Sequence, residues 1–324
     1  MSPLISIIIP NFNRELLIGE TLDSIIAQSY TNWECIIVDD HSTDGSWGIV
    51  NGFCELDKRI RQVKRPDNLP KGASSCRNYG FEIASGSFVN WFDSDDIMVD
   101  TKLEDQMSIA LETDCDVIVC QTAFFDKDPG QLLFYWNHYF KSKFDPLTDF
   151  ITFRLAWSID APIWKKTFLN EKSLFDVSLK SSQDWEFHVR LLSFMPKMEI
   201  LNETLVLARV HEGRIGVGVD TNRFLRRLIT RELTFELLYS KDLLNKEIKN
   251  YYKSYFMNQL KYLTVKRDLI NRLKLRIKLC VNPYFWFGSL LLRINLYTFI
   301  YQITGKKYWA FNTFIKQTIN NNRR

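Results

Sequence analysis

Histidine and cysteine are scarce in this 324-residue chain, with four of the first and six of the second. The cysteines, at positions 35, 54, 76, 115, 120 and 280, form no Cys-x-x-Cys pair and have no histidine at zinc spacing. That pattern excludes a zinc ribbon, a dithiol redox motif and a disulfide framework. Several of the cysteines lie inside apolar runs, as buried free thiols do. The chain also lacks an unbroken run of about 20 apolar residues, the length a membrane-spanning helix needs. Its best approach, residues 279–304, is interrupted by Asn282, Pro283, Arg293 and Asn295 and reads as an amphipathic or buried helix. The opening, MSPLISIIIPNFNRE, reads as a strand and not as an apolar leader, so a reducing cytoplasm is the expected setting. Disorder is excluded by 46% hydrophobic residues against 25% charged ones.

Charge is present but unevenly placed. Residues 221–324 carry 21 Lys/Arg and 5 Asp/Glu, whereas residues 1–220 carry 21 and 33, so the two parts stand at +16 and −12. An acidic front suits cations, and a basic tail suits anions such as lipid headgroups. No nucleic-acid-binding motif accompanies the tail, and nucleic acid is not expected as a partner. Glycines at 213, 216 and 218 mark a boundary. The expected organisation is therefore a catalytic domain over 1–218, divided into halves 1–122 and 123–218, followed by a basic helical region over 219–324.

Within the first half, apolar β-branched runs at 4–9, 33–38, 87–92 and 117–119, with a weaker one at 59–64, alternate with segments of helical period. Leu17, Leu22, Ile25 and Ile26 form one stripe, residues 73–84 a second, and Leu103, Met107 and Leu111 a third. This alternation implies parallel strands joined by right-handed crossovers. In such a sheet, residues just past the strand ends collect along one edge, where open α/β folds bind ligands. The stretches VDDHSTDG and FDSDD would both arrive there.

FDSDD places Asp93, Asp95 and Asp96 within four positions. Carboxylates at that density suit a hard divalent cation, Mn2+ or Mg2+, which could neutralise a diphosphate. A calcium loop starting at Asp40 fails because Asn51 stands where the bidentate glutamate belongs. The pair Asp126 and Asp128, followed by Pro129 and Gly130, reads as a turn. In PKGASSCRNYG, residues 70–80, Gly72 and two serines open a helix whose free N–H groups favour anions, and Arg77 lies one to two turns in. Farther on, SSQDWEFHVRLL reads as an amphipathic helix with Phe187, Leu191 and Leu192 inward and Asp184 near its start.

Taken in order, ISIIIPNFNRELLIGETLDSIIAQSY, ECIIVDDHSTDGS, KGASSCRNYGFEIASGSFVNWFDSDD, SQDWEFHVRLL and ARVHEGRIG resemble the motifs of the family 2 inverting glycosyltransferases. The resemblance covers residues 3–216 or so. It implies the GT-A (Rossmann-like) α/β fold, with a mixed, mainly parallel sheet flanked by helices, ahead of the basic helical C-terminal extension. It implies that Pro10, Asn11 and Asn13 line a nucleoside pocket, that Asp40 bonds the base and that Arg77 reaches the base or diphosphate. Asp93, Ser94 and Asp95 would form the D-x-D, with Asp93 on the ribose and the metal-diphosphate unit and Asp95 the more direct metal ligand. Asp184 would be the general base, and His211 would face the diphosphate or metal.

Two departures from the family pattern stand out: Gln183 precedes the base where Glu is usual, and Glu212, Gly213 and Arg214 follow the histidine where serines are common. Glu186 is a second candidate base, although two positions along a helix it should point elsewhere. The implied partners are a nucleoside-diphosphate sugar, a UDP-sugar foremost, and a glycan or lipid-linked acceptor, with an anionic membrane surface at the inner face of the cell membrane as a docking site for the tail. The rival reading is a catalytically inactive scaffold of the same fold. A phosphatase or nucleotidyltransferase is disfavoured because Ile9, Pro10 and Asn11 offer no nucleophilic Asp after the first strand.

Overall fold

The structure, a computed structural model, describes residues 2–137, 141–210 and 221–265. His211, the glycine punctuation at 213–218 and the apolar segment 279–304 lie outside the described residues. In chain order the first elements are β1 (Ile5–Asn11), α1 (Ile18–Ile26), β2 (Trp33–Asp39), α2 (Ser46–Leu56), β3 (Ile60–Lys64), α3 (Ala73–Glu82), β4 (Phe88–Trp91), β5 (Ile97–Met98) and α4 (Lys102–Thr113). There follow β6 (Val117–Phe125), β7 (Leu132–Tyr135), α5 (Pro146–Ile151), β8 (Pro162–Lys165), α6 (Lys166–Leu169), α7 (Gln183–Leu192), β9 (Met198–Arg209), α8 (Thr221–Ser240) and α9 (Lys246–Val265).

The strands form one sheet in the order β3-β2-β1-β4-β8-β6-β9-β5, with β7 paired to β6. β1 is parallel to both β2 and β4, and β2 is parallel to β3, as alternating strands and helices require. Beyond β4 the sheet becomes mixed. β8 runs antiparallel to β4 and β6, while β6 and β9 pair in parallel through most of their length. Longer pairings are the parallel ones, so the sheet is mainly parallel, as expected. Strands buried on both faces need continuous apolar sequence, and Ile7, Ile8, Ile36, Ile37, Val89, Trp91, Val117 and Ile118 provide it at 1% exposure or less.

The helices follow the sequence pattern with two differences. α2 was not legible: its sequence, SWGIVNGFCEL, contains two glycines, and only Ser46 and Val50 are buried, so no apolar stripe announces it. In α4, Leu103 and Met107 face the core as expected, but Leu111 is 61% exposed and Ala110 takes its place. The spacing of four drifts around a helix of 3.6 residues per turn.

By its internal contacts the chain divides into two compact units, residues 1–241 and 242–324. The first unit retains α8, where the Thr230 hydroxyl donates to the Ser181 carbonyl (3.0 Å) and the Arg231 guanidinium stacks 3.3 Å above the Trp185 ring. In the second unit, α9 buries Ile248, Tyr252, Phe256 and Met257. Among the described residues no helix is long and apolar enough to cross a membrane. Cys35, Cys76, Cys115 and Cys120 are buried free thiols.

α3 lies close against β1 and β2 because residue 80 is glycine. A Cβ there would stand 2.3 Å from Ile8 Cγ2 and 3.3 Å from Val38 Cγ2. Neither branched side chain can retreat inside a packed sheet. Gly80→Ala is therefore expected to cost about 1–3 kcal/mol in chemical denaturation, with a lower Tm.

Candidate active site

β1, β2 and β4 end on one edge, and the loops that leave them carry the polar side chains. Asn11, the last residue of β1, donates through Nδ2 to Asp39 Oδ1 (3.1 Å) at the end of β2. Asn13 adopts a positive φ of 51°, a conformation asparagine tolerates, and its side-chain carbonyl accepts the Thr43 N–H at 2.8 Å. These contacts fasten the β1–α1 loop to the β2–α2 loop. Asp40 is buried, with Oδ1 accepting Arg65 Nε (2.5 Å) and Oδ2 accepting the Gly72 N–H (3.0 Å). The anion favoured at the start of α3 is thus the chain's own Asp40 carboxylate. Pro10 is half-buried on the same strand, and Ser94 is buried in the loop after β4.

Arg77 is the centre of the edge. It is 4% exposed, with Nη2 2.6 Å from Asp93 Oδ1 and Nη1 3.2 Å from Asp184 Oδ1. Trp91 Nε1 donates to its main-chain carbonyl, and the Phe175 ring lies 5.2 Å from the guanidinium. Asn78 holds the Phe175 loop with two backbone hydrogen bonds. Burial opposes the charge on Arg77, but Asp184 and Asp93 outweigh it and raise its pKa further. For Asp93, burial and the charges of Asp160, Asp95 and Asp184 push the pKa up, while Arg77 pulls the other way.

The carboxylates sort in a way the sequence does not reveal. Among the described residues, Asp93, Asp96 and Asp160 each bring an oxygen within 4.8 Å of one another. Asp95, expected as the more direct metal ligand, instead has Oδ2 3.2 Å from Arg14 Nε. Asp96 Oδ1 accepts the Arg209 N–H at the end of β9 (2.8 Å), and Asp160 Oδ1 accepts the Asp93 N–H (2.6 Å). The donor set is all carboxylate oxygen, which fits a hard cation such as Mg2+ or Mn2+ and not a soft one.

Asp184 sits in the first turn of α7 with its side chain 47% exposed. Glu186 is turned away, 2.7 Å from Arg190 Nε. Phe187, Leu191 and Leu192 are buried, as the amphipathic pattern required.

Three participants escaped the sequence reading. Asp160 is a fully buried carboxylate, and its one signal is isolation inside the apolar stretch WSIDAPIW. Arg14 carries no signal beyond following the β1 motif. Lys102 is fully buried behind the edge and donates to Asn90 Oδ1 (3.2 Å), while Asn90 Nδ2 donates to the Asp160 and Pro162 carbonyls. Burial lowers the Lys102 pKa to about 8.

With this geometry in place, comparison with known proteins becomes informative. The model of Glycosyl transferase family 2 matches residues 6–173. The chain belongs to that family. An uncharacterized glycosyltransferase of Haemophilus influenzae is 38% identical over 130 residues, 40% of this chain and 51% of that protein. The Escherichia coli protein WfgD, a UDP-Glc:alpha-D-GlcNAc-diphosphoundecaprenol beta-1,3-glucosyltransferase, is 39% identical over 109 residues, 34% of this chain and 42% of that protein. The chain thus spans about half the length of these curated relatives. The crystal structure of S. aureus TarS 1-349 in complex with UDP-GlcNAc superimposes with a TM-score of 0.62 at 22% identity, covering 79% of this chain and 72% of that one. At that identity the likeness establishes the fold, and the fold is of the GT-A type.

One buried group of this family 2 chain reports on pH. His188, one turn past Asp184 on α7, is 1% exposed among Phe150, Trp157, Trp164 and Phe187, and neither ring nitrogen has a hydrogen-bond partner among the described residues. Burial, aided by Arg77, lowers its pKa from 6.5 to about 3. The folded state therefore binds fewer protons than the unfolded state between those values, and stability falls as pH drops below 6.5. Denaturation of the wild type at pH 6.5 and 5 should show a loss of roughly 2 kcal/mol attributable to this residue. His188→Phe should have a correspondingly flatter pH profile.

Proposed function

We propose that the chain transfers a sugar, with inversion, from a nucleoside-diphosphate donor to a hydroxyl of a glycan or lipid-linked acceptor in bacterial surface polysaccharide synthesis. The observation that carries this reading is the shared guanidinium of Arg77, which holds Asp93 of the D-x-D and Asp184 of α7 in one cluster. Donor-side and acceptor-side groups must meet at the anomeric carbon, and this pairing brings both to the same edge.

Pro10, Asn11, Asn13 and Asp40 line the nucleoside side of the edge, and Arg77 with Asp93 and Ser94 the diphosphate side. UDP is the foremost nucleotide, since the WfgD name and the TarS complex both involve uridine donors. Mg2+ or Mn2+ held by Asp93 and Asp95, beside the Asp96 and Asp160 oxygens that lie within 4.8 Å of Asp93 and with His211 as a further contact, would neutralise the charge gathering on the departing diphosphate. Asp184 takes the proton from the acceptor hydroxyl as that oxygen bonds to the anomeric carbon and the bond to the diphosphate breaks. A single displacement inverts the centre. Arg77 fixes the orientation of the Asp184 carboxylate during that step.

The diphosphoundecaprenol acceptor in the WfgD name favours a lipid-linked acceptor here as well. The +16 of residues 221–324 would then dock the enzyme on the inner face of an anionic membrane.

The test separates binding from turnover. Asp184→Asn should retain UDP binding by calorimetry while transfer falls about 10^3-fold or more, within the range set by losing a general base. Asp95→Ala should lose metal-dependent UDP binding. Undiminished transfer by Asp184→Asn would remove that residue from the mechanism, and absence of nucleotide binding by the wild type would restore the scaffold reading.

A further inference from the structure

The Arg14–Asp95 pair is unaccounted for by the chemistry above. Its side chains are 24% and 15% exposed, so the pair is largely but not fully shielded from water. The base of the Arg14 side chain is pinned. Its own N–H donates to Ser46 Oγ (2.7 Å), the next residue's N–H donates to Asp44 Oδ2 (3.1 Å), and the Asn13–Thr43 bond holds the preceding turn. Its guanidinium is held less firmly, with Nη1 on the Asn13 carbonyl at 3.2 Å and Nε on Asp95 at 3.2 Å. Arg14 thus reaches from the loop on the nucleoside side to the carboxylate on the metal side.

Two neighbouring arginines among the described residues have partners of their own. Arg77 serves Asp93 and Asp184, and Arg209 meets Asp95 through its main-chain carbonyl (3.2 Å) while its Nη2 pairs with Glu20 (2.5 Å). A divalent cation arriving at Asp95 therefore encounters the Arg14 guanidinium on the same carboxylate, and the two repel. A diphosphate changes the balance, because its oxygens give the guanidinium a forked anionic partner.

Building on the glycosyl-transfer reading, we propose that Arg14 is a positioning residue that occupies Asp95 until the nucleotide arrives, coupling metal affinity to nucleotide affinity. Linkage makes the effect reciprocal: the factor by which the nucleotide raises metal affinity is the factor by which the metal raises nucleotide affinity. The side chain disfavours loading of metal without donor.

The experiment measures Mn2+ binding to the full chain by electron paramagnetic resonance, with and without UDP, for wild type, Arg14→Gln, Arg14→Met and Arg14→Lys. The two neutral variants should bind Mn2+ alone at least about fivefold more tightly than wild type, the lower end of ordinary coupling. The enhancement by UDP should shrink by the same factor, and Arg14→Lys, which keeps the charge but loses the fork, should keep the weak metal binding of wild type with a smaller enhancement by UDP. A merely structural role would not tighten metal binding. If wild type binds both UDP and Mn2+ but the neutral variants bind Mn2+ alone no more tightly, the coupling role is overturned and the transferase reading stands. If wild type binds neither, both fall together.

Discussion

Five carboxylates, Asp93, Asp95, Asp96, Asp160 and Asp184, converge on one sheet edge, and their mutual repulsion is the constraint around which the site is built. Arg77 answers it for two of them, Asp93 and Asp184. Its position inside the fold keeps the guanidinium from water, which strengthens its attraction to Asp93 and Asp184. Removing one partner from a buried ion pair leaves the other charged and uncompensated, which is why such groups depend on one another. The remaining acids are held by main-chain N–H groups, Asp96 by Arg209 and Asp160 by Asp93. Asp95 has the Arg14 guanidinium.

Placement of Arg77 depends on how closely its helix approaches the sheet. The bare face of Gly80 lets α3 lie against Ile8 and Val38, and Trp91 on β4 secures the Arg77 carbonyl. The aromatic cluster of Trp91, Phe175 and Phe187, with ring centroids 4.1 to 5.2 Å apart, then connects β4 to α7 beneath the charges. Asp184 is thereby tied to the same packing as Asp93. The Arg77 side chain is buried, whereas that of Asp184 remains half exposed.

Much of the first half was legible because its physics is local. Uninterrupted β-branched runs separated by helical stripes leave little choice but parallel strands, and β1 to β4 appear where the runs are. The motif order identified the family, and the model match over residues 6–173 agrees with it. α2 was hidden because a helix with two glycines and one buried aliphatic residue carries almost no periodic signal. The contacts of α8 with Ser181 and Trp185 are not written in its own composition.

By itself the sequence determined which side chains could do chemistry: the acidic run after β4, the arginine on α3 and the aspartate opening α7. Tertiary structure alone decided how they are partnered. Residues just past strand ends collect along one edge only where the strands are parallel. β8 runs the other way, so the residue that reaches the edge precedes its strand, and Asp160 was missed for that reason. Strand direction is set by long-range pairing between β4, β6 and β8, and no window of local sequence contains it.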